Sequence, residues 1–271
     1  MSYHDYEIQA GSNSNSNSNS NSLLKLEGIS MEFKRKGGIL KALDNVTFEL
    51  RENEVLGIIG ESGSGKSTVA RVITGLHRAT EGRVIFQGKD VTDLTKTERQ
   101  RMYSDLQMVF QNPIKSFNPR RKIGASISEC LCHLCAYSRG TTDDKVKDLL
   151  EDVGLKAEYA DKYPHEMSGG ECQRAAIARA MAVCPKILIC DEATSALDVS
   201  AQARIINLLM ELKDKYNMSI IFISHDLPLV STITDRIIIM DGGKIVEEGS
   251  VEEVICSPKT DYTRELLDAV L

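Results

Sequence analysis

Three short stretches of this chain carry residues that chemistry could use. Residues 60–67 read Gly60-Glu61-Ser62-Gly63-Ser64-Gly65-Lys66-Ser67, with Thr68 next. In a G-x-x-x-x-G-K-S spacing the glycines let the backbone curl so that successive N–H groups face a phosphate chain. Lys66 then brings a compact positive charge to the terminal phosphates, and the Ser67 hydroxyl is a ligand for Mg²⁺. The second stretch is Asp191-Glu192, at the end of the apolar run 187–190. An apolar strand that delivers two adjacent carboxylates is a metal-and-base arrangement: Asp191 holds Mg²⁺ through water, and Glu192 takes a proton from an attacking water. The third, Ser168-Gly169-Gly170, precedes a segment with apolar residues at 175, 176, 180 and 183 and makes a second anion site at a helix N-terminus. One nucleotide does not need two phosphate cradles. The reading that reconciles them is that the second cradle serves the nucleotide of a partner subunit.

The surrounding pattern supplies elements to position these groups. Residues 55–59 read as a buried strand and 68–73 as the start of a helix, which puts the glycine loop at a helix N-terminus. Residues 23–33 and 39–50 alternate and carry β-branched residues, so they predict antiparallel strands around a Gly37-Gly38 turn. A strand pair is expected near 82–87 and a short strand at 106–110. The stretch 112–163 is mostly helical, with Thr142 as an N-cap, Asp143 and Asp144 in the first turn, and Gly154 ending a stripe of Val146, Leu149, Leu150 and Val153. Strands at 187–190, 220–224 and 236–240 then alternate with helices at 172–183 and 200–216. Continuously apolar strands alternating with helices mean a parallel sheet covered on both faces. The expected fold class is therefore α/β: a parallel-sheet core, an antiparallel β subdomain and an inserted α-helical subdomain at about 112–168. Residues 1–22 contain a strict Ser-Asn alternation and read as a flexible tail; 23–254 form the folded domain and 255–271 a C-terminal extension.

The chain has 271 residues, of which 42% are hydrophobic and 27% charged, with a formal net charge of −6. That acidity counts against a nucleic-acid partner, which usually meets a basic face. The longest apolar runs fall far short of a membrane span, and no secretion signal is present, so the chain is expected in the cytosol, free to dock on a membrane partner. Seven cysteines, an odd number, fit free thiols in a reducing compartment. Cys130-Leu131-Cys132-His133-Leu134-Cys135 invites a metal reading. On one helix, however, only 132 and 135 share a face, and no second C-x-x-C pair closes a tetrahedral site, so plain buried thiols are expected.

A phosphate loop alone says only that a nucleotide binds. Read together, the ordered residues resemble the nucleotide-binding subunits of ATP-binding-cassette (ABC) transporters over about residues 23–254. The phosphate loop matches, Ser168-Gly169-Gly170 looks like the family signature, and Asp191-Glu192 looks like its Walker B pair. Phe110-Gln111 resembles the Q-loop, Ser195-Ala196-Leu197-Asp198 the D-loop, and Ser224-His225-Asp226 the switch histidine. Phe33 sits where the family places an aromatic on the adenine. Met167 and Glu171 stand where the family has Leu and Gln, and Ala193 where it has Pro; no phosphate donor or catalytic carboxylate is lost. A narrower likeness, to the oligopeptide, dipeptide and nickel import branch, rests on Gln111-Asn112-Pro113, Ser116 to Arg120, Pro164-His165-Glu166, Ser257-Pro258 and Asp261-Tyr262-Thr263.

The resemblance implies a RecA-like P-loop NTPase that hydrolyses ATP with Mg²⁺. ATP would be held by residues 60–68 and Phe33, and by Ser168, Gly169, Gly170 and Asp198 of the facing subunit. Ser67, Gln111 and Asp191 would form the metal site, while Glu192, His225 and Gln111 perform catalysis. It further implies a homo- or heterodimer of such subunits at the cytoplasmic face of the membrane, transmembrane permease subunits, and a substrate-binding protein acting indirectly. Other readings are an ABC ATPase working on nucleic acid or ribosomes, a small-molecule kinase, and a cassette that binds without hydrolysing. The first typically has two cassettes or long coiled coils, the second needs no Ser168 cradle, and intact Glu192 and His225 argue against the third.

Overall fold

The structure, a computed structural model, describes residues 22–35, 38–135, 137–138, 140–194 and 198–269. Two sheets organise them. The strands β1 (Ser22–Arg35) and β2 (Gly38–Arg51) pair antiparallel, with Phe33 opposite Leu40, as the alternation predicts; Gly37 lies outside the described residues. β3 (Val55–Ile59) is followed by α1 (Lys66–Ile73). β4 (Glu81–Phe86) and β5 (Lys89–Asp90) complete a four-stranded sheet in the order β2-β1-β4-β5. Next come α2 (Lys96–Asp105), β6 (Leu106–Val109), α3 (Ile123–Leu134), α4 (Asp143–Asp152), α5 (Gly169–Met181) and β7 (Ile187–Asp191). They are followed by α6 (Val199–Tyr216), β8 (Ser219–Ser224), α7 (Leu227–Ser231) and β9 (Arg236–Asp241). The chain then forms β10 (Lys244–Ser250), α8 (Val251–Cys256) and α9 (Asp261–Asp268).

The second sheet runs β10-β9-β3-β8-β7-β6. Its strands β9, β3, β8, β7 and β6 are mutually parallel, and β10 turns back antiparallel on β9, an edge that the sequence reading did not include. Two hydrophobic clusters explain why the central strands are apolar throughout. Val55 and Ile59 of β3, Leu188 and Cys190 of β7, and Ile220 and Phe222 of β8 point into a cluster with α3, α4, α5 and α6. Their neighbours Leu56 and Ile58, Ile187 and Ile189, and Ile221 and Ile223 point the other way, onto α1 and the antiparallel sheet. The side chains alternate between faces, and both faces are covered, so no polar residue is tolerated at either set of positions. Each such side chain contributes about 1.5–3 kcal/mol by leaving water.

The helical segment after β6 follows its predicted stripe: Val146, Leu149, Leu150 and Val153 are all buried, and Gly154 leaves the helix with φ 68°. Thr142 does occupy the position before α4, but its side chain makes no cap bond. It has helical backbone angles, and its hydroxyl pairs with that of Ser128 on α3 at 2.7 Å. Cys130, Cys132 and Cys135 are half-buried on and just after α3 rather than fully buried. Burial raises the thiol pKa of Cys130 and Cys135. The boundary expected at 254/255 falls inside α8, and α9 beyond it packs Leu267 into the first cluster. Among the described residues no helix is long and apolar enough to cross a membrane.

Candidate nucleotide site

The C-terminal ends of β3, β7 and β8 lie side by side, Ile59 opposite Ser224 and Asp191 opposite Ile223. The glycine loop leaves the first, Asp191-Glu192 ends the second, and His225 follows the third, so one sheet edge collects them. β6 adds Gln111, since Val109 pairs with Cys190. This is where a parallel α/β sheet offers its ligand crevice.

The loop geometry depends on two close approaches. A Cβ on Gly60, whose φ is 156°, would sit 2.1 Å from the Met240 carbonyl oxygen. One on Gly65, with φ 106°, would sit 2.8 Å from the carbonyl oxygen of Ala42. Gly60→Ala is therefore expected to cost about 1–3 kcal/mol of stability, measured as a lower denaturation midpoint, and to weaken nucleotide binding; an unchanged midpoint contradicts the packing described. Gly65 is the residue before α1 and has no side chain to cap it, leaving the first N–H groups of the helix open toward the cleft.

Lys66 is 4% exposed and folds back into its own loop. Its ammonium donates to the carbonyls of Gly60 (2.6 Å) and Glu61 (2.7 Å) and to the Ser64 hydroxyl (3.3 Å). Burial lowers its pKa, opposed by the charges of Glu192, Asp191 and Glu61. The Ser67 hydroxyl donates to Asp191 Oδ1 at 2.9 Å. Burial raises the Asp191 pKa, the Ser67 bond lowers it, and Glu192 raises it further. Glu192 sits with φ 48°, a left-handed conformation that costs on the order of 1–3 kcal/mol for a non-glycine residue and that points to function. Its N–H donates to Ile223 O (3.0 Å), which anchors it to β8; its carboxylate accepts from Gln111 Nε2 at 2.5 Å, and His225 Nδ1 stands 3.9 Å away.

Phe33, Ser62, Gly63, Gly65, Lys66, Ser67, Thr68, Gln111 and Glu192 line a single open cleft of about 770 Å³. Phe33 packs its ring edge-on to His77 at 5.5 Å and, with Leu40 across the strand pair, supplies apolar surface beside the phosphate loop. Ser64 is buried beneath the loop, where its carbonyl accepts from the Gly243 N–H at 3.1 Å. Lys41, Arg71 and Gly243 also line the cleft, and sequence reasoning missed them. Arg71 is one α1 turn beyond Ser67 and could have been found from that spacing; Lys41 on β2 and Gly243 in the turn between β9 and β10 are distant in sequence and carry no local signal.

Ser168, Gly169, Gly170 and Asp198 line a different cleft, with Arg174 and Arg204, and the two clefts share no lining residue. Ser168 caps α5 through a reciprocal box. Its hydroxyl accepts from the Glu171 N–H at 3.3 Å, and the Glu171 carboxylate accepts from the Ser168 N–H at 2.8 Å. Tyr159 also donates its hydroxyl to Glu171. These bonds, the Tyr159 hydroxyl first, lower the Glu171 pKa to about 2. The extra carboxylate at this position is thus tied to the Ser168 N–H and the Tyr159 hydroxyl, and Glu171 itself lines the cleft beside Gly169 and Gly170. Asp198 caps α6, accepting from Ala201 N–H at 2.8 Å, while Ser195, Ala196 and Leu197 lie outside the described residues.

The chain belongs to the ABC transporter family, whose description matches residues 43–195, and is one of its ATP-hydrolysing cassettes. It is 45% identical over 258 residues to the oligopeptide transport ATP-binding protein OppF of Salmonella typhimurium, covering 92% of this chain and 77% of that one. It is 44% identical to the oligopeptide transport ATP-binding protein AppF of Bacillus subtilis, covering 88% and 73%. Among solved structures it resembles the dimeric ATP-binding cassette MJ0796 in a post-hydrolysis state bound to ADP and Pi. The TM-score is 0.77 and the identity 29%, over 84% of this chain and 98% of that one.

Proposed function

We propose that this chain is the ATP-hydrolysing subunit of a membrane importer for peptides. Two such subunits would pair head-to-tail at the cytoplasmic face, under permease subunits fed by a substrate-binding protein. The observation that carries the dimer is the pair of clefts with no residue in common: a phosphate loop in one, the Ser168 end of α5 in the other. A nucleotide on the loop of one protomer is completed by the Ser168 end of its partner, so closure and binding are one event. The dimeric structure of MJ0796 bound to ADP and Pi supports this reading, and the peptide cargo is supported by relatives named for oligopeptide and dipeptide transport.

Within the site, Phe33 stacks the adenine and residues 60–68 hold the phosphates. Ser67, Asp191 and Gln111 offer hydroxyl, carboxylate and amide oxygens, the hard donors that Mg²⁺ takes. Ser67 and Asp191 already stand 2.9 Å apart, and a buried carboxyl with a raised pKa gains from a cation beside it. Mg²⁺ there would neutralise charge on the phosphates. Glu192 accepts the proton of a water as its oxygen bonds to the γ-phosphorus. The bond to the β–γ bridging oxygen breaks, and ADP departs with that electron pair. His225 contacts the γ-phosphate, and Gln111 holds Glu192 in place.

Ser168→Arg tests the reading, because it fills the second cleft and leaves the phosphate loop intact. Wild-type chain should restore uptake of a radiolabelled tripeptide to host cells lacking it. The variant should bind ATP yet restore none. Uptake that persists in cells lacking the chain overturns the peptide cargo, and full activity of the variant overturns the shared site.

A further inference from the structure

The phosphate loop is gripped from behind by a residue far from it in sequence. The peptide joining Gly60 to Glu61 has two polar ends. Its carbonyl accepts from Lys66 Nζ at 2.6 Å, and its N–H donates to the hydroxyl oxygen of Tyr262 at 3.3 Å. Tyr262 belongs to the first turn of α9, and its ring packs against the core cluster that includes Val254 and Leu267.

α9 itself is fixed by a buried acid. Glu247 on β10 is 6% exposed, and its carboxylate accepts from the N–H groups of Lys259 (2.9 Å) and Thr260 (3.2 Å) and from the Thr260 hydroxyl (3.1 Å). Thr260 in turn caps the helix by accepting from the Thr263 N–H at 3.2 Å, and Thr263 is fully buried. A carboxylate at a helix N-terminus, satisfied by backbone donors, is a stable anchor. The position of the Tyr262 hydroxyl is thus set by the strand β10 and not by a loose tail.

We propose that Tyr262 is a positioning residue for nucleotide binding: its hydroxyl holds the Gly60–Glu61 peptide in the orientation the phosphate loop needs once Lys66 has left that peptide for a phosphate. In the structure both ends of the peptide are held. When Lys66 moves to the nucleotide, the carbonyl loses its donor and the Tyr262 bond is the restraint that remains. A peptide freed at both ends can rotate, and rotation at Gly60 would re-aim the loop's later N–H groups, because glycine presents no side-chain barrier to it. The restraint acts on binding and leaves the proton transfer at Glu192 unaffected. The inference rests on the nucleotide-site reading above.

Tyr262→Phe removes one oxygen and keeps the ring. The purified full chain should bind ATP about fivefold more weakly, the scale of one neutral hydrogen bond, with its melting temperature kept. In the assembled transporter KM for ATP should rise by the same factor while kcat at saturating ATP is kept. Hydrogen exchange at the Glu61 amide should accelerate in the variant with ATP bound, and amides within α9 should not change. A merely structural tyrosine would lower the melting temperature and loosen α9 without splitting KM from kcat. If wild-type chain binds ATP and the variant binds it equally well with the Glu61 amide equally protected, the positioning role is overturned and the nucleotide site stands. If wild type binds no ATP, both fall.

Discussion

Glu192→Gln is expected to lower ATP turnover by a factor of roughly 10² or more while ATP affinity is kept, the scale of losing a positioned general base. The substitution is close to isosteric, and the site shows why the geometry should survive it. The Gln111 Nε2 bond at 2.5 Å can be accepted by an amide oxygen as by a carboxylate. The anchoring bond from the 192 N–H to Ile223 O is made by backbone and does not depend on the side chain. The left-handed φ of 48° is one that Glu already tolerates, and Gln has the same branching at Cβ. What disappears is the capacity to take a proton from water, and with it a negative charge close to where the γ-phosphate must sit.

The same change should therefore trap a closed ATP-bound pair, because the phosphate that bridges two protomers is never cut. Light scattering should show the mass rising to that of a dimer on adding ATP, and falling back when ATP is removed. Retained turnover in the purified pair would remove Glu192 from its role. Turnover lost with ATP affinity also lost would mean that Glu192 holds the nucleotide instead of activating water. Because Gln111 bonds to Glu192 directly, a Gln111 variant would also disturb the base, and effects at these two positions should not add.

The chemistry-bearing stretches of this chain were legible in its sequence because each is local. Residues 60–67 specify a turn by glycines at fixed offsets, and two of those glycines are forced by carbonyl oxygens that would stand 2.1 and 2.8 Å from any Cβ placed there. The Asp191-Glu192 pair was marked by the apolar strand before it, and that strand is apolar because both sheet faces are covered. The signal failed where the partner of a residue is distant. Helix α2 buries only Met102, so it has no apolar stripe to betray it, although its Thr95 and Glu98 capping box was there to be read. Strand β10 carries a buried Glu247, whose donors at Lys259 and Thr260 lie just ahead of α9 and give no signal within the strand itself. Thr142 fits a cap by type, yet Ser128 on the neighbouring helix takes its hydroxyl. Tyr262 lies 201 residues from the Glu61 N–H that it meets, and no periodicity reaches that far.

Lys66→Ala should weaken ATP binding by roughly tenfold to a hundredfold, the equivalent of the 1.5–3 kcal/mol typical of a hydrogen bond to a charged group. The ground state sets that scale. The Lys66 ammonium is held by two carbonyls and one hydroxyl, and burial makes its charge costly there, as its lowered pKa records. A triphosphate offers anionic oxygens in place of neutral carbonyls, so exchanging partners relieves that cost and binding gains the difference. In the alanine variant the Gly60 and Glu61 carbonyls lose a donor in both the free and the bound protein, and that loss largely cancels from the affinity. The melting temperature of the free variant then reports the carbonyls, and calorimetric titration with ATP reports the phosphate contact. An ATP affinity equal to wild type would show that the Lys66 ammonium never leaves its loop, and the phosphate-binding role of residues 60–67 would then rest on backbone N–H groups alone.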